Sequence, residues 1–246
     1  AYIAMNTMKN PFNNETVRKA IMLSINREEM LKTVYDGKGA VLRGVVPDRI
    51  LDKGAPETEK QYDIERAKKL LKKIGYNSTQ ELKIWIVDSA RPYLSRPRIA
   101  ADMLKNSLEQ IGISSVVEEM DLKSFISRTQ AGEHEIAIFG WRGDYPDSDN
   151  YFYPMLSIEN SNLGSSGNFS FYKNEEIEGL IQKGRRTFES EKRKEIYLKL
   201  EKSIKEKGVL IPLINREREI ILNRSLRGYT PSIFGYESLF KAWKKD

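Results

Sequence analysis

Three aspartates lie within six residues of one another, at Asp144, Asp147 and Asp149, and carboxylate oxygens are the ligands that Ca²⁺ prefers. Asp147 and Asp149 fit positions 1 and 3 of an EF-hand loop. The later positions do not fit, because Phe152 replaces the glycine of the sharp turn and Ile158 replaces the bidentate carboxylate. The sequence therefore predicts no calcium site in this segment.

The same aspartates could in principle supply a carboxylate pair for glycoside hydrolysis, although their spacing does not favour this over a polar loop. His134 is the single histidine, and it begins an apolar segment without the partners that a catalytic triad or a metal site requires. We expect His134 to lie at a strand edge or on the surface. Because the sequence has no cysteine, it also has no cysteine-based metal site.

Phosphate-binding and nucleophile motifs are also missing from the sequence. It contains no GxSxG elbow and no Walker loop. Gly37, Gly39 and Gly44 do not form GxGxxG and follow no predicted strand, so we interpret them as turn residues. We expect no catalytic residue, no metal site and no cofactor, and we do not expect an enzyme.

Side-chain periodicity predicts an α/β domain with helices on both faces of a sheet. Asn26, Asp63 and Asp121 are predicted to cap helices. Polar loops are predicted around the three aspartates and over residues 157–170. The predicted helices cover residues 15–25, a segment after Asn26, and residues 63–74, 96–111, 121–132, 174–188 and 190–207. The predicted strands cover residues 81–87, 116–117, 134–141, 209–214 and 218–222.

Composition narrows the possible partners. The 41 Lys and Arg residues exceed the 35 Asp and Glu residues, but they are spread along the chain, so we expect a solvated surface and no nucleic-acid partner. No apolar run approaches the roughly 18 residues of a membrane span. Residues 1–6 have a strand-like pattern and do not form a leader peptide. We expect them to belong to a longer protein in which a leader and an N-terminal portion precede them.

Two segments resemble the dipeptide- and oligopeptide-binding family (family 5) of extracytoplasmic solute-binding proteins. Residues 2–31 (YIAMNTMKNPFNNETVRKAIMLSINREEML) are similar to that family's run of an "NT" strand, a "PF" and a "VRxA" helix. WRGDYPDSDN at residues 141–150 resembles the family's aspartate loop. RPY at residues 91–93 resembles a motif of the dipeptide-binding branch. YDGKGAVLRGVVP, at residues 35–47, departs from its family counterpart where Ala40 and Val41 replace a proline.

The resemblance implies a fold and a division of the chain. Relatives have two lobes around a buried peptide, in the manner of class II (cluster C) periplasmic binding proteins. Residues 1–214 would form the second lobe, with a mixed sheet flanked by helices. Residues 215–246 would return toward the first lobe.

The resemblance also implies site residues. Asp144 would accept the ligand's ammonium group, and the planar guanidinium of Arg91 would bind its carboxylate. Trp141 and Tyr145 would form apolar walls, and Tyr93 belongs to the RPY motif. Both charged residues follow predicted strands, where ligand crevices of α/β sheets lie, so we expect them on one rim.

The function implied by the resemblance is capture of a peptide and its delivery to an ABC permease, outside the cytoplasm, in the periplasm or as a surface lipoprotein. Membrane association would come only through an anchor or the permease. Two alternatives stay open at this point. One is a peptide sensor or adhesin with the same fold, and the other is a receptor for nickel chelate, haem or oligosaccharide.

Overall fold

Nine strands and eight α-helices are present in the computed structural model of the chain, which describes residues 1–52, 61–232 and 237–245. The strands are β1 (Tyr2–Met5), β2 (Gly39–Val41), β3 (Leu82–Val87), β4 (Ser115–Met120), β5 (Ile136–Phe139), β6 (Leu210–Pro212), β7 (Ile214–Arg216), β8 (Leu226–Arg227) and β9 (Trp243–Lys244). The helices are α1 (Glu15–Ser24), α2 (Arg27–Tyr35), α3 (Ile64–Lys73), α4 (Pro97–Gln110), α5 (Leu122–Gln130), α6 (Asp149–Leu156), α7 (Glu175–Arg186) and α8 (Ser190–Lys207).

A five-stranded mixed sheet in the order β4-β3-β5-β1-β6 organises the protein. β3 pairs in parallel with β4 and with β5, whereas β1 lies antiparallel to both β5 and β6. β2 pairs with β7, and β8 pairs with β9, in two small separate sheets. The predicted fold class, an α/β lobe built on a mixed sheet, is confirmed.

Side-chain alternation along the central strands creates two cores. On β1, Ile3 and Met5 point into the core formed with α1 to α4, and Tyr2 and Ala4 point into the core formed with α5 to α8. All four β1 residues are buried, because helices cover both faces of the sheet. None of the helices in the described ranges has the length and apolar character needed to cross a bilayer.

Helix starts follow the predicted capping chemistry. Asn26 accepts a hydrogen bond from the Glu29 backbone N–H at 3.0 Å, and Asp63 and Asp121 cap α3 and α5 in the same way. Each cap satisfies an N–H group that has no partner inside its helix. These local bonds need only short-range sequence information, which is why the predictions were right.

Three sequence predictions were wrong in part. Residues 218–222 form no strand, and the nearest strand before them is β7, which pairs with β2 outside the central sheet. The loop predicted around the aspartates contains α6, which starts at Asp149 and tolerates Pro154 within it. The strand predicted over residues 134–141 is limited to β5, because Gly140 and Trp141 already leave the ladder.

His134 is fully buried, which corrects the expectation of a strand-edge or surface position. Its Nε2 lies 2.7 Å from the Phe169 carbonyl oxygen, and the rings of Trp85, Phe169 and Phe171 surround it. Because a carbonyl can only accept, Nε2 carries the proton. Nδ1 is buried without a hydrogen-bond partner among the described residues. Burial lowers the pKa of His134 to about 4, so the imidazole is neutral at pH 7.

We expect this histidine to make the chain sensitive to acid. Between pH 6.5 and about 4 the unfolded chain binds a proton at His134 that the folded chain excludes, so stability falls as pH falls through this window. The full loss is on the order of 3 kcal/mol. Urea unfolding of wild type and His134→Gln at pH 7 and pH 4.5 measures it. An equally large loss on acidification in the variant would contradict this role.

Candidate functional site

One edge of the central sheet gathers the loops that carry the predicted site residues. This edge contains the C-terminal ends of β3 and β5 and the N-terminal end of β1, because Tyr2 pairs with Phe139 across antiparallel strands. Crevices of α/β sheets lie beyond the carboxyl ends of parallel strands. The loops that carry Arg91 and Asp144 both leave the sheet here.

Arg91 and Tyr93 lie in a tight turn after β3. Arg91 and Leu94 exchange backbone hydrogen bonds of 2.9 and 3.0 Å, which close the turn. Arg91 Nε and the Tyr93 hydroxyl are both buried and have no hydrogen-bond partner of good geometry among the described residues. Burial raises the pKa of Tyr93 to about 12, although hydrogen bonding to the adjacent Arg91 side chain, and the charge of that side chain, oppose the shift. Tyr93 is therefore a neutral hydroxyl at pH 7.

The turn is fixed against the end of β5. The Tyr93 ring meets Phe139 edge-on, with centroids 5.2 Å apart, and passes directly over Gly140. A Cβ at Gly140 would lie 2.3 Å from the Tyr93 ring, so only glycine permits this approach. From the other side, the Tyr35 hydroxyl donates to the Tyr93 carbonyl oxygen at 3.0 Å.

The loop after Gly140 carries the remaining three predicted residues. Trp141 is half-buried and donates from Nε1 to Asn150 Oδ1 at 3.2 Å, which ties the loop to the first turn of α6. Tyr145 is 50% exposed. Asp144 is exposed, and its carboxylate makes no hydrogen bond or ion pair within the part of the chain that the structure describes. Its negative charge is thus available to a binding partner.

Asp147 and Asp149 have structural roles that Asp144 lacks. Arg193 on α8 forms a two-pronged ion pair with Asp147, and one of its two hydrogen bonds measures 2.9 Å. Asp147 also accepts from the Asp149 backbone N–H at 2.7 Å. Asp149 lies 3.5 Å from Arg185, and burial raises the pKa of its carboxyl group. The acidic loop is therefore held to α7 and α8 by two of its three carboxylates.

Arg185 and Arg193 were missed by the sequence reasoning. Arg193 follows Asp147 by 46 residues, and no local spacing connects them. Arg185 also stacks on Tyr153, with its guanidinium carbon 3.7 Å from the ring centroid. The basic residues at the end of α7 interact favourably with the helix C-terminus, which is enough to explain their position. The sequence therefore gave no indication that Arg185 also pairs with Asp149.

The site combines two kinds of charge at one sheet edge. The Arg91 and Tyr93 turn offers hydrogen-bond donors without acceptors, and the neighbouring loop offers the unpaired Asp144 carboxylate. In the described ranges, no group of three His, Cys, Asp or Glu side chains is arranged to hold a metal ion. The geometry thus suits a ligand that carries an anionic group and a cationic group.

Comparisons with known proteins identify relatives over nearly the whole chain. Haem-binding protein A of Haemophilus influenzae is 29% identical over 98% of this chain and 43% of its own length. The dipeptide-binding protein of Escherichia coli is 30% identical over 80% of this chain and 36% of its length. The chain thus spans less than half the length of these curated relatives.

A solved structure with a bound dipeptide has a similar fold. The dipeptide-binding protein of Pseudoalteromonas sp. SM9913, in complex with Met-Leu, superposes with a TM-score of 0.86 at 30% identity, over 99% of this chain and 48% of that one. The profile described as "Bacterial extracellular solute-binding proteins, family 5 Middle" matches residues 1–162. The chain belongs to the family 5 bacterial extracellular solute-binding proteins.

Proposed function

We propose that this chain forms part of a receptor that captures short peptides outside the cytoplasm and delivers them to an ABC importer. The observation that carries the proposal is the pair of buried donors at Arg91 Nε and the Tyr93 hydroxyl, which have no acceptor of good geometry among the described residues. A buried donor without an acceptor costs about 1–3 kcal/mol. If the two side chains rotate toward the cleft, a peptide's terminal carboxylate can accept from both donors and remove that cost.

Asp144 completes the match to a free peptide. A peptide is a zwitterion, and burying it leaves an ammonium group as well as a carboxylate in need of partners. Asp144 is an exposed carboxylate with no competing cation among the described residues, whereas Asp147 and Asp149 are already engaged by arginines. We therefore assign the ammonium to Asp144, and Trp141 and Tyr145 to the walls beside it.

The alternative ligands fit this site less well. The name of the Haemophilus influenzae relative raises haem as a candidate. Histidine is a common ligand of haem iron and of nickel, but His134 is buried in the core behind three aromatic rings. Charged donors are also not what a neutral oligosaccharide requires. A peptide sensor or adhesin would use the same site. A permease gene next to the gene of this protein would favour transport over a sensor or adhesin role.

The tail, residues 215–246, is proposed to pack against the first lobe of the receptor. Its described part leaves large apolar side chains in solvent, with Ile221 99% exposed and Phe240 93% exposed. Exposed apolar side chains gathered in one segment are typical of an interface. The ABC permease is proposed as the protein partner, and the periplasm or the outer face of the cell membrane as the location.

Asp144→Asn should weaken peptide binding while preserving the shape of the side chain. The loss of one member of a buried ion pair costs roughly 3–5 kcal/mol, which is about two to three orders of magnitude in affinity. Titration calorimetry with a dipeptide panel, on the full protein that the gene encodes, measures this loss of affinity. N-acetylated dipeptides should bind the wild type poorly and should not distinguish it from the variant. Wild type that binds acetylated and free peptides equally would refute the assignment.

Asp147→Asn is the matched control in the same loop. It should lower the free energy of unfolding by about 1 kcal/mol, because it breaks a partly buried two-pronged pair with Arg193, and it should cost much less binding than Asp144→Asn. Asp144→Asn should leave stability unchanged. Denaturant unfolding of both variants tests this. Equal losses of peptide affinity in the two variants would make the acidic loop a scaffold only.

Arg91→Lys should weaken binding of free peptides more than binding of C-terminally amidated peptides. Lysine keeps the charge but loses the planar, two-pronged geometry that suits a carboxylate. We expect a loss of about tenfold or more for the free acid. The same calorimetry provides the measurement. An equal loss for the acid and the amide would show that Arg91 does not contact the carboxylate.

A further inference from the structure

Every backbone carbonyl oxygen of residues 91–94, the turn that carries Arg91 and Tyr93, accepts a hydrogen bond. The carbonyl oxygens of Arg91 and Leu94 accept from N–H groups within the turn. The two between them, on Pro92 and Tyr93, accept from side chains of β7 and α2. Because each of these acceptors already has a donor, the turn does not need its own side chains to satisfy its backbone.

Tyr35 is the side chain that holds the carbonyl oxygen of Tyr93. It is the last residue of α2, it is only 3% exposed, and its hydroxyl donates to that oxygen at 3.0 Å. Burial raises the pKa of Tyr35, although the charge of Arg216 opposes the shift, so the hydroxyl is a neutral donor at pH 7. Arg216 itself is exposed and lies 3.3 Å from the Pro92 oxygen. The buried bond of Tyr35 is therefore the stronger of the two.

The residues directly after the turn are tied to the same end of α2. Ser95 Oγ donates to the Val34 carbonyl oxygen at 2.6 Å. Arg96 donates to the Thr33 carbonyl oxygen at 2.7 Å and to the Asp36 carboxylate at 2.8 Å. The last carbonyl oxygens of a helix have no partner inside the helix, so these bonds satisfy them. The turn is thus mounted on the C-terminal end of α2, and each satisfies backbone groups of the other.

We propose that Tyr35 is a positioning residue for peptide binding: its hydroxyl, by holding the Tyr93 carbonyl oxygen, keeps Arg91 and Tyr93 where they meet the free carboxylate of a ligand. The inference rests on the proposed function, because it takes the turn as the carboxylate site. Tyr35 lies in the core behind the turn and acts on the ligand only through it. Its loss should therefore affect recognition of the carboxylate and spare the ammonium end, which the acidic loop holds.

Tyr35→Phe tests the proposal, because it removes the hydroxyl and keeps the buried ring. Titration calorimetry on the full protein that the gene encodes compares Leu-Leu with its C-terminally amidated form. The loss of one buried hydrogen bond should weaken binding of the free acid by about three- to tenfold. Binding of the amide, which lacks the carboxylate, should stay nearly as in wild type. The ratio of acid to amide affinity should therefore fall by about three- to tenfold.

Thr129→Val is the matched control for a purely structural effect. The Thr129 hydroxyl is fully buried on α5 and donates to the Phe125 carbonyl oxygen, so the variant also removes one buried hydroxyl-to-carbonyl bond. Thr129 does not bond to the turn or to the end of α2. Urea unfolding should show a loss of stability in both variants, because each loses such a bond. The ratio of acid to amide affinity should stay as in wild type in Thr129→Val.

The outcomes separate this inference from the proposed function. A ratio that Arg91→Lys lowers and Tyr35→Phe leaves unchanged would overturn the positioning role and leave the peptide receptor intact. A ratio lowered equally by Tyr35→Phe and Thr129→Val would overturn it as well, because any loosening of the fold would then have the same effect. If neither Arg91→Lys nor Tyr35→Phe changes the ratio, the carboxylate assignment fails and the inference fails with it. A ratio lowered by Tyr35→Phe and not by Thr129→Val supports the positioning role.

Discussion

The packing of the Tyr93 ring over Gly140 joins two loops into one site. The turn of Arg91 and Tyr93 follows β3, and the acidic loop follows β5, so the parallel pairing of these two strands already brings the starts of both loops side by side. The contact with Gly140, where a Cβ would lie 2.3 Å from the ring, brings the turn onto the first residue beyond β5. The strand pairing sets the two loops at one sheet edge, and this contact fixes the turn against the start of the acidic loop.

Two of the three carboxylates of the acidic loop have structural roles, and we propose the third, Asp144, for ligand binding. Asp147 and Asp149 hold the loop against Arg193 and Arg185, which come from two helices of the second core. Because two carboxylates already fix the loop, the third is not needed to maintain its conformation. Asp144 therefore stays unpaired while its backbone is held in place, and binding a cation there requires little reordering.

Local features of the sequence were sufficient for much of the fold. Helix caps such as Asn26 and the alternation along β1 depend on neighbours a few residues away, and both were readable. α6 was hidden because Pro154 lies inside it and because its acidic start resembles a loop. His134 was misjudged because its surroundings, Trp85, Phe169 and Phe171, come from distant segments.

The same difference between local features and contacts of distant segments applies to the candidate site. Short motifs predicted Asp144 and Arg91 as site residues, and the loops that carry them leave the sheet at one edge, while their roles in binding stay a prediction. The open pocket beside Trp141 and Tyr151 could not be predicted, because its walls come from β1, the segment after β2, the acidic loop, α6, β6 and β7, and Glu201 on α8 supports it. Only the folded chain brings these segments together.

A crystal structure of the protein as its gene encodes it, bound to a dipeptide such as Leu-Leu, tests the central claim most directly. We expect the peptide's ammonium nitrogen within about 2.7–3.0 Å of an Asp144 carboxylate oxygen, and its carboxylate on Arg91 and the Tyr93 hydroxyl. A peptide whose ammonium is held by another residue, with Asp144 still facing solvent, would contradict it.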